Sequence, residues 1–268
     1  MAEFETITSL QNQKVKLIPQ LREKRNRQKH ERFVIDSVRN FVRAVQAGIR
    51  IDYVFVCDQI SGYDLELIES EVIEIIHVTA AIMKKLSYRQ NPDWLIAVCY
   101  TPDAIRLEEL TTEDFPKRIL ALVGLNKPGN IGALLRTADA ANFEMIWLID
   151  CELDLYNPNI IRASTGTVFL DNVVELRSEQ AQGLIRQLPH QVLSGHLSGE
   201  EDLYAVKLSQ KSIVILGKEE TGLEDDWLPY CQHIVKIPMA GKISDSLNVS
   251  VSGALFMYEV YRQHHYKD

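Results

Sequence analysis

Three short runs in the second half of the chain place glycines and polar residues where a chain leaves a sheet. LNKPGNIGALLR, Leu125 to Arg136, follows an apolar run. Pro128, Gly129 and Gly132 shape a tight strand-to-helix turn there, Asn130 suits the helix N-terminus, and Arg136 projects from the second helical turn. In ILGKEETGL, Ile215 to Leu223, Gly217 and Gly222 permit close backbone approach, and Glu219 sits between them. In IPMAGKISDSLNVSVSGALFMYE, Ile237 to Glu259, a strand ends at Pro238 and Ser246, Leu247 and Asn248 open a helix. The small residues Ser250, Ser252, Gly253 and Ala254 then let a backbone or a ligand come close. Taken singly, the runs also read as good loop chemistry, a charged surface turn and an ordinary capped helix. Two familiar chemistries are excluded. Gly124, Gly129 and Gly132 do not give the dinucleotide spacing Gly-x-Gly-x-x-Gly, and GKEETG lacks the Gly-Lys-Ser/Thr of a phosphate loop.

Metal chemistry has little to work with. Cys57, Cys99, Cys151 and Cys231 are far apart, lack Cys-x-x-Cys spacing and read as buried free thiols. The seven histidines form no His-x-x-x-His pair, so no metal is expected. The net charge of -8 conceals an asymmetry: from Lys14 to Arg43 ten Lys/Arg face three acidic residues, a local +7, so the rest of the chain carries -15. Screening confines each charge to about 10 Å, so a basic cluster attracts phosphate whatever the total. A solvated basic helix is the plain alternative.

The elements that position these runs alternate between strand-like and helical. From about Leu10 to Lys29, Leu10, Val15, Leu17, Ile18 and Leu21 among basic residues indicate one or two amphipathic helices. FVIDS, helical NFVRAVQAG with Gly48 as its cap, IDYVFVC, DLELIES, EIIHV, AAIMKKLS and WLIAVCY complete a small α/β unit ending near Tyr100. TPDAIRLEELTTEDFPK, with its prolines and polar residues, reads as a linker. Beyond it, RILALVGL, IGALLRTADAANF and MIWLID make a strand-helix-strand crossover. Further strands are expected at DNVVEL, HQVLSG, SIVILG and HIVKIP, with a closing helix from about Ser246 to Arg262. Ligands of such parallel sheets bind beyond the carboxyl ends of the strands, where the three runs fall. No run approaches the roughly 18 apolar residues of a membrane span, and the N-terminus MAEFETITSL lacks a signal pattern, so a cytoplasmic protein is expected.

In this order the three runs resemble the signature motifs of TrmH-like (SpoU) SPOUT RNA methyltransferases. The family pattern is Asn-x-Gly-x(3)-Arg after the first strand, Gly-x-Glu-x-x-Gly-Leu after a later one, and Ile-Pro-Met followed by Ser-Leu-Asn-Val-Ser. The chain supplies Asn130-Ile131-Gly132 with Arg136, then Gly217-Lys218-Glu219 with Gly222-Leu223, then Ile237-Pro238-Met239 and Ser246-Leu247-Asn248-Val249-Ser250. An intermediate Arg-x-Ser-x-Gly feature is met by Arg162-Ala163-Ser164-Thr165-Gly166. The first unit resembles the L30e-like substrate-binding domain often joined to this catalytic domain: Phe33 and Arg39 match its Phe-x-x-Glu-Gly-x-Arg pattern. Asp36 and Ser37 depart from Glu-Gly, and Trp94 and Leu95 stand where glycine is common.

The resemblance implies an α/β protein with a C-terminal parallel-sheet SPOUT domain closed by a deep trefoil knot and a smaller N-terminal α/β L30e-like domain. The corresponding boundaries are an RNA-binding domain over 1–100, a linker over 101–117 and a catalytic domain over 118–268. It implies S-adenosylmethionine as cofactor, with Gly217, Ile237, Leu247, Met239 and Gly195 as contacts, and ribose 2'-hydroxyl methylation with Arg136, Asn130, Glu219, Ser246 and Asn248 at the reacting site. A guanidinium of pKa above about 12 is a poor base at neutral pH, so Arg136 is expected to clamp phosphate and stabilise alkoxide charge. Glu219 is expected to orient Asn130 or Arg136. RNA is the expected partner, met by Lys24, Arg25, Arg27 and Arg39, with ribosomal RNA favoured over tRNA and a homodimer as the assembly. A tRNA methyltransferase and a non-catalytic RNA-binding assembly factor on the same fold are the competing expectations.

Overall fold

Val15, Ile18 and Leu21 recur at one face of a helical stretch and are all buried, the spacing that turns a basic sequence into a packed element. The computed structural model describes residues 6–71, 74–107, 110–196, 199–243 and 246–266. The chain divides into two compact units: one runs to Asp103 and takes in Asp154–Leu170, and the other holds Ala104–Leu153 and resumes at Asp171.

In the first unit, α1 (Gln13–Gln20) and α2 (Lys24–His30) precede β1 (Arg32–Ile35), α3 (Val38–Gln46), β2 (Ile51–Val56), α4 (Gly62–Glu71), β3 (Ile75–His77), α5 (Ala80–Leu86) and β4 (Leu95–Tyr100). The sheet order is β1-β4-β2-β3. β4 runs antiparallel to β1 and β2, and β2 runs parallel to β3. Ser37, which departs from the L30e-like glycine, accepts from the Asn40 N–H at 3.2 Å and caps α3. Asp36 accepts from the Tyr88 N–H at 3.0 Å and ties β1 to the loop before β4. Gly48, at φ +77°, ends α3 as expected.

The second unit contains β5 (Arg118–Val123), α6 (Pro128–Ala140) and β6 (Met145–Ile149). After α7 (Pro158–Ser164), which packs in the first unit, come β7 (Val173–Leu176), α8 (Ser178–Gln187), β8 (Gln191–Gly195), β9 (Glu201–Asp202), β10 (Ser212–Leu216), β11 (His233–Lys236) and α9 (Val249–His265). Its seven strands pair in parallel in the order β7-β6-β5-β10-β8-β11-β9. β5, β6 and β10 are apolar throughout their middles because helices cover such a sheet on both faces. Gly253 of α9 lets that helix settle on α6 and β10: a Cβ there would lie 2.4 Å from Leu134 Cδ2 and 2.8 Å from Leu216 Cδ1.

Two stretches are placed by contacts that the sequence does not announce. The stretch 101–117 is no free linker, because Ile105, Leu107 and Leu110 pack on the second unit's core beside buried Phe115. By its contacts the segment from Asp154 to Leu170 groups with the first unit. Phe33 stacks on Tyr156 at 4.3 Å, the Asn40 amide donates to the Ile161 carbonyl at 3.4 Å, and the Arg43 guanidinium donates to the Thr165 carbonyl. The Arg162–Gly166 run therefore belongs to the first unit, and its Gly166, at φ +99°, leaves room for the Arg43 side chain beneath it. Of the four cysteines, which are all free, Cys57 and Cys99 are buried, but Cys151 and Cys231 are only half-buried.

Candidate active site

Parallel pairing sends the chain out of β5, β10, β8 and β11 at the same end of the sheet, and these four strands are consecutive neighbours. The three runs singled out in the sequence follow β5, β10 and β11. Their meeting is thus a consequence of strand order, as expected for ligand sites in open parallel sheets.

Three side chains join the loops. Asn130, in the first turn of α6, donates through Nδ2 to Glu219 Oε1 at 2.7 Å. Asn248 donates through Nδ2 to Asn130 Oδ1 at 3.2 Å. Asn248 Oδ1 in turn accepts from the Ser250 N–H at 2.9 Å and the Ser250 hydroxyl at 2.6 Å, capping α9. The direction of this chain is fixed at both ends. A carboxylate only accepts and a backbone N–H only donates, so each amide has one orientation that satisfies its neighbours. Glu219 orients Asn130, one of the two partners expected for it.

The glycines account for the closeness. A Cβ on Gly217 would lie 2.2 Å from the backbone of Gly222 and Leu223, so the turn after β10 closes only around glycine, and Gly222 takes φ +74°. Gly124, at φ +65°, has Lys218 Cε where a Cβ would stand, at 2.6 Å. Lys218 pairs with Glu224 at 2.6 Å, and the bond to that carboxylate holds its ammonium pKa above the usual lysine value.

The remaining expected residues are placed as follows. Arg136 is exposed on α6 and, among the described residues, forms no ion pair. Ser246 and Leu247 are exposed just before α9, which starts at Val249 because Asn248 is its cap. Ile237 follows β11 half-buried, and Met239, 41% exposed, lies beyond it. Gly195 ends β8 against the Phe256 ring, whose Cζ is 2.7 Å from a built Cβ, so its smallness serves the packing of α9. Lys24 and Arg25 are exposed on α2, and Arg39 is exposed in the first turn of α3. Arg27 departs from its expected role. It is 4% exposed, its Nη1 donates to the Leu21 and Arg22 carbonyls at 2.8 and 2.7 Å, and its Nε donates to Asp154 at 2.9 Å. Its donors are spent inside the fold, so it offers no phosphate clamp. The sequence presents Ser250 as a small residue of the helix start, and its bonds to Asn248 are the part that its position two residues after an Asn cap could have signalled.

A seven-stranded parallel sheet in one polypeptide with a small mixed-sheet unit is the architecture that this chain shares with a solved RNA ribose methyltransferase. A crystal structure of an RNA 2'-O ribose methyltransferase is 36% identical, covers 97% of this chain and 99% of its own, and superposes with a TM-score of 0.85. The SpoU rRNA Methylase family profile matches residues 117–258 and an MRM3-like substrate binding domain profile matches residues 12–97. The chain belongs to the SpoU rRNA methylase family. A 23S rRNA uridine 2'-O-methyltransferase of Streptomyces viridochromogenes is 28% identical over 89% of this chain and 86% of its own. The AdoMet-bound rRNA methyltransferase of Sinorhizobium meliloti, 24% identical over 98% of this chain and 99% of its own, shares the fold with a TM-score of 0.86.

Proposed function

We propose that the protein transfers the methyl group of S-adenosylmethionine to a ribose 2'-hydroxyl of ribosomal RNA, in the cytoplasm and as a homodimer. The observation that carries this reading is the Asn248–Asn130–Glu219 chain joining the loops after β5, β10 and β11. The residues fit the cofactor. The turn at Gly217 leaves no room for a side chain, and exposed apolar groups, Met239 and Leu247 at 41% and 37%, stand at the same end of the sheet. Backbone groups around Gly217, Ile237 and Leu247 would hold it, with Met239 as an apolar wall; Gly195 would serve through its backbone. S-adenosylmethionine supplies an electrophilic methyl group on a sulfonium.

The protein's own residues do the rest. Asn130 and Asn248, held in one orientation, and Ser246 beside them present a fixed polar surface to the ribose. Arg136 holds the neighbouring phosphate and the charge that grows on the 2'-oxygen, and the hydroxyl proton leaves to water or to phosphate. Six positions on α6 turn Arg136 about 120° from Asn130, which suits an arginine reaching a site shared with a second copy. Val251 and Tyr258, each 48% exposed, stand with Leu255 at i, i+4 and i+7 on α9 and support that helix as the contact between copies. The insertion of β10 between β5 and β8, with α9 packed on β10 and α6, supports the knotted path.

Mapping 2'-O-methyl sites in total RNA from cells with and without the gene tests the reading. One ribosomal ribose should lose its methyl group in the deletion. Loss confined to tRNA overturns the ribosomal assignment, and an unchanged map overturns the activity.

A further inference from the structure

One charged cluster takes no part in the chemistry above. Arg32, Tyr100 and Arg50 form a row across one end of the first unit's sheet. Arg32 on β1 is the direct partner of Tyr100 on β4, and the Tyr100 N–H donates to the Arg50 carbonyl at 2.9 Å, one residue before β2 begins. Arg32 Cζ lies 3.2 Å from the Tyr100 ring centroid and Arg50 Cζ 3.5 Å from it. Two guanidiniums at such distances cannot share one face of a phenol, so they sandwich the ring. Their positions on strands flanking β4, each about 4.8 Å away, give this arrangement directly.

The two arginines differ in what their N–H groups do. Arg32 Nε donates to Asp52 Oδ2 at 3.0 Å, and its Nη1 donates to the His30 and Glu31 carbonyls at 3.2 and 3.0 Å. Asp52 Oδ1 accepts from the Tyr100 hydroxyl at 3.1 Å, so the acid and the phenol are also committed. Arg50 is exposed and, among the described residues, its side chain has the ring contact but no ion pair or hydrogen bond. The ring holds its guanidinium plane and leaves the N–H edges in water. Since Arg32 binds the carbonyl of His30, the last residue of α2, the row adjoins the helix that carries exposed Lys24, Arg25 and Lys29.

We propose that Arg50, pre-oriented on Tyr100, is a contact for a backbone phosphate of the RNA substrate, extending the basic face of α2 across the sheet end. The proposal rests on the RNA-methyltransferase reading above. An arginine held flat can meet two phosphate oxygens with parallel N–H bonds, and its contribution comes with counterion release. It takes no part in methyl transfer.

Filter binding of an unmodified 23S rRNA transcript to the full chain, over a series of KCl concentrations, tests this. Arg50→Gln should weaken binding about 3- to 10-fold and lower the slope of log K against log salt by about 0.7 to 0.9, the share of one phosphate. Arg50→Lys should keep most of the slope and lose part of the affinity, because an ammonium has no plane to stack. In methylation assays Arg50→Gln should raise KM for RNA and leave kcat and S-adenosylhomocysteine binding unchanged. An active wild type beside an Arg50→Gln protein with the same slope and KM overturns the contact alone. A wild type that neither binds nor methylates RNA overturns the proposed function and this contact with it.

Discussion

The Arg27 guanidinium grips the Asp154 carboxylate side-on, Nε to Oδ1 at 2.9 Å and Nη2 to Oδ2, with 4% and 15% of the two side chains exposed. The pair holds the segment after β6 in the first unit and sets Arg27 apart from its neighbours on α2. Removing either partner leaves a buried charge with no counterpart, which costs about 3 to 5 kcal/mol. Arg27→Ala and Asp154→Ala should therefore lower the urea midpoint strongly. Lys24→Gln with Arg25→Gln should leave the midpoint near wild type and reduce the salt dependence of RNA binding by roughly two contacts. Equal destabilisation by both sets of changes would contradict this division between structural and RNA-facing cations.

Asn130 is held between an acceptor, Glu219, and a donor, Asn248. Glu219→Gln replaces an obligate acceptor with an amide that can present either its oxygen or its N–H to Asn130, so the direction of the chain is no longer fixed at that end, while the Asn248 end still demands the Asn130 oxygen. The expected result is a kcat lower by about 100-fold, the order seen when a positioned polar group is lost, with cofactor affinity by calorimetry little changed. Wild-type kcat in the Gln variant would show that a neutral acceptor oxygen suffices and that the obligate carboxylate is not required.

Arg136 is exposed and makes no ion pair among the described residues, so its removal costs the fold little. Arg136→Ala should retain the wild-type melting temperature and S-adenosylhomocysteine binding while turnover falls by at least about 1,000-fold. Arg136→Lys keeps the charge but loses the planar fork and should recover only a small part. Parallel loss of cofactor binding and turnover would remove Arg136 from the substrate side of the reaction.

How much of this was legible in the sequence follows from the range of the interactions. β5, β6 and β10 are unbroken apolar runs and declare themselves, and the loops after them carry their glycines in plain view. Helix starts were displaced by local rules: α6 begins at Pro128, which makes Asn130 its third residue, and α9 begins after Asn248 caps it. α7 was missed although Asn157-Pro158 is a cap followed by a first-turn proline. Nothing local marks which of ten clustered cations will meet a carboxylate 127 positions away, so the burial of Arg27 could not be read. The prolines and charges of 101–117 mask its docking, for which four apolar residues at Ile105, Leu107, Leu110 and Phe115 suffice.

His190 gives a test in pH. Its Nε2 lies 2.8 Å from the Pro116 carbonyl, which can only accept, so Nε2 carries the proton and Nδ1 is the bare nitrogen. Nδ1 is buried with no partner among the described residues. Burial, aided by Lys211 and opposed by the Pro116 bond and Glu144, lowers the imidazole pKa below its usual value. The unfolded chain, with an ordinary pKa of about 6.5, then takes up the proton first as pH falls. Stability from the neutral imidazole is complete above about pH 6.5 and declines below it, until the folded-state pKa is passed. Urea midpoints measured from about pH 7.5 to about pH 5.5 should thus drop further for wild type than for His190→Gln, which has no proton to gain. Gln can still donate to the Pro116 carbonyl, so the comparison isolates the titration from the hydrogen bond. A wild-type midpoint that rises relative to the variant on acidification would mean that the folded imidazole binds its second proton more tightly than the unfolded one.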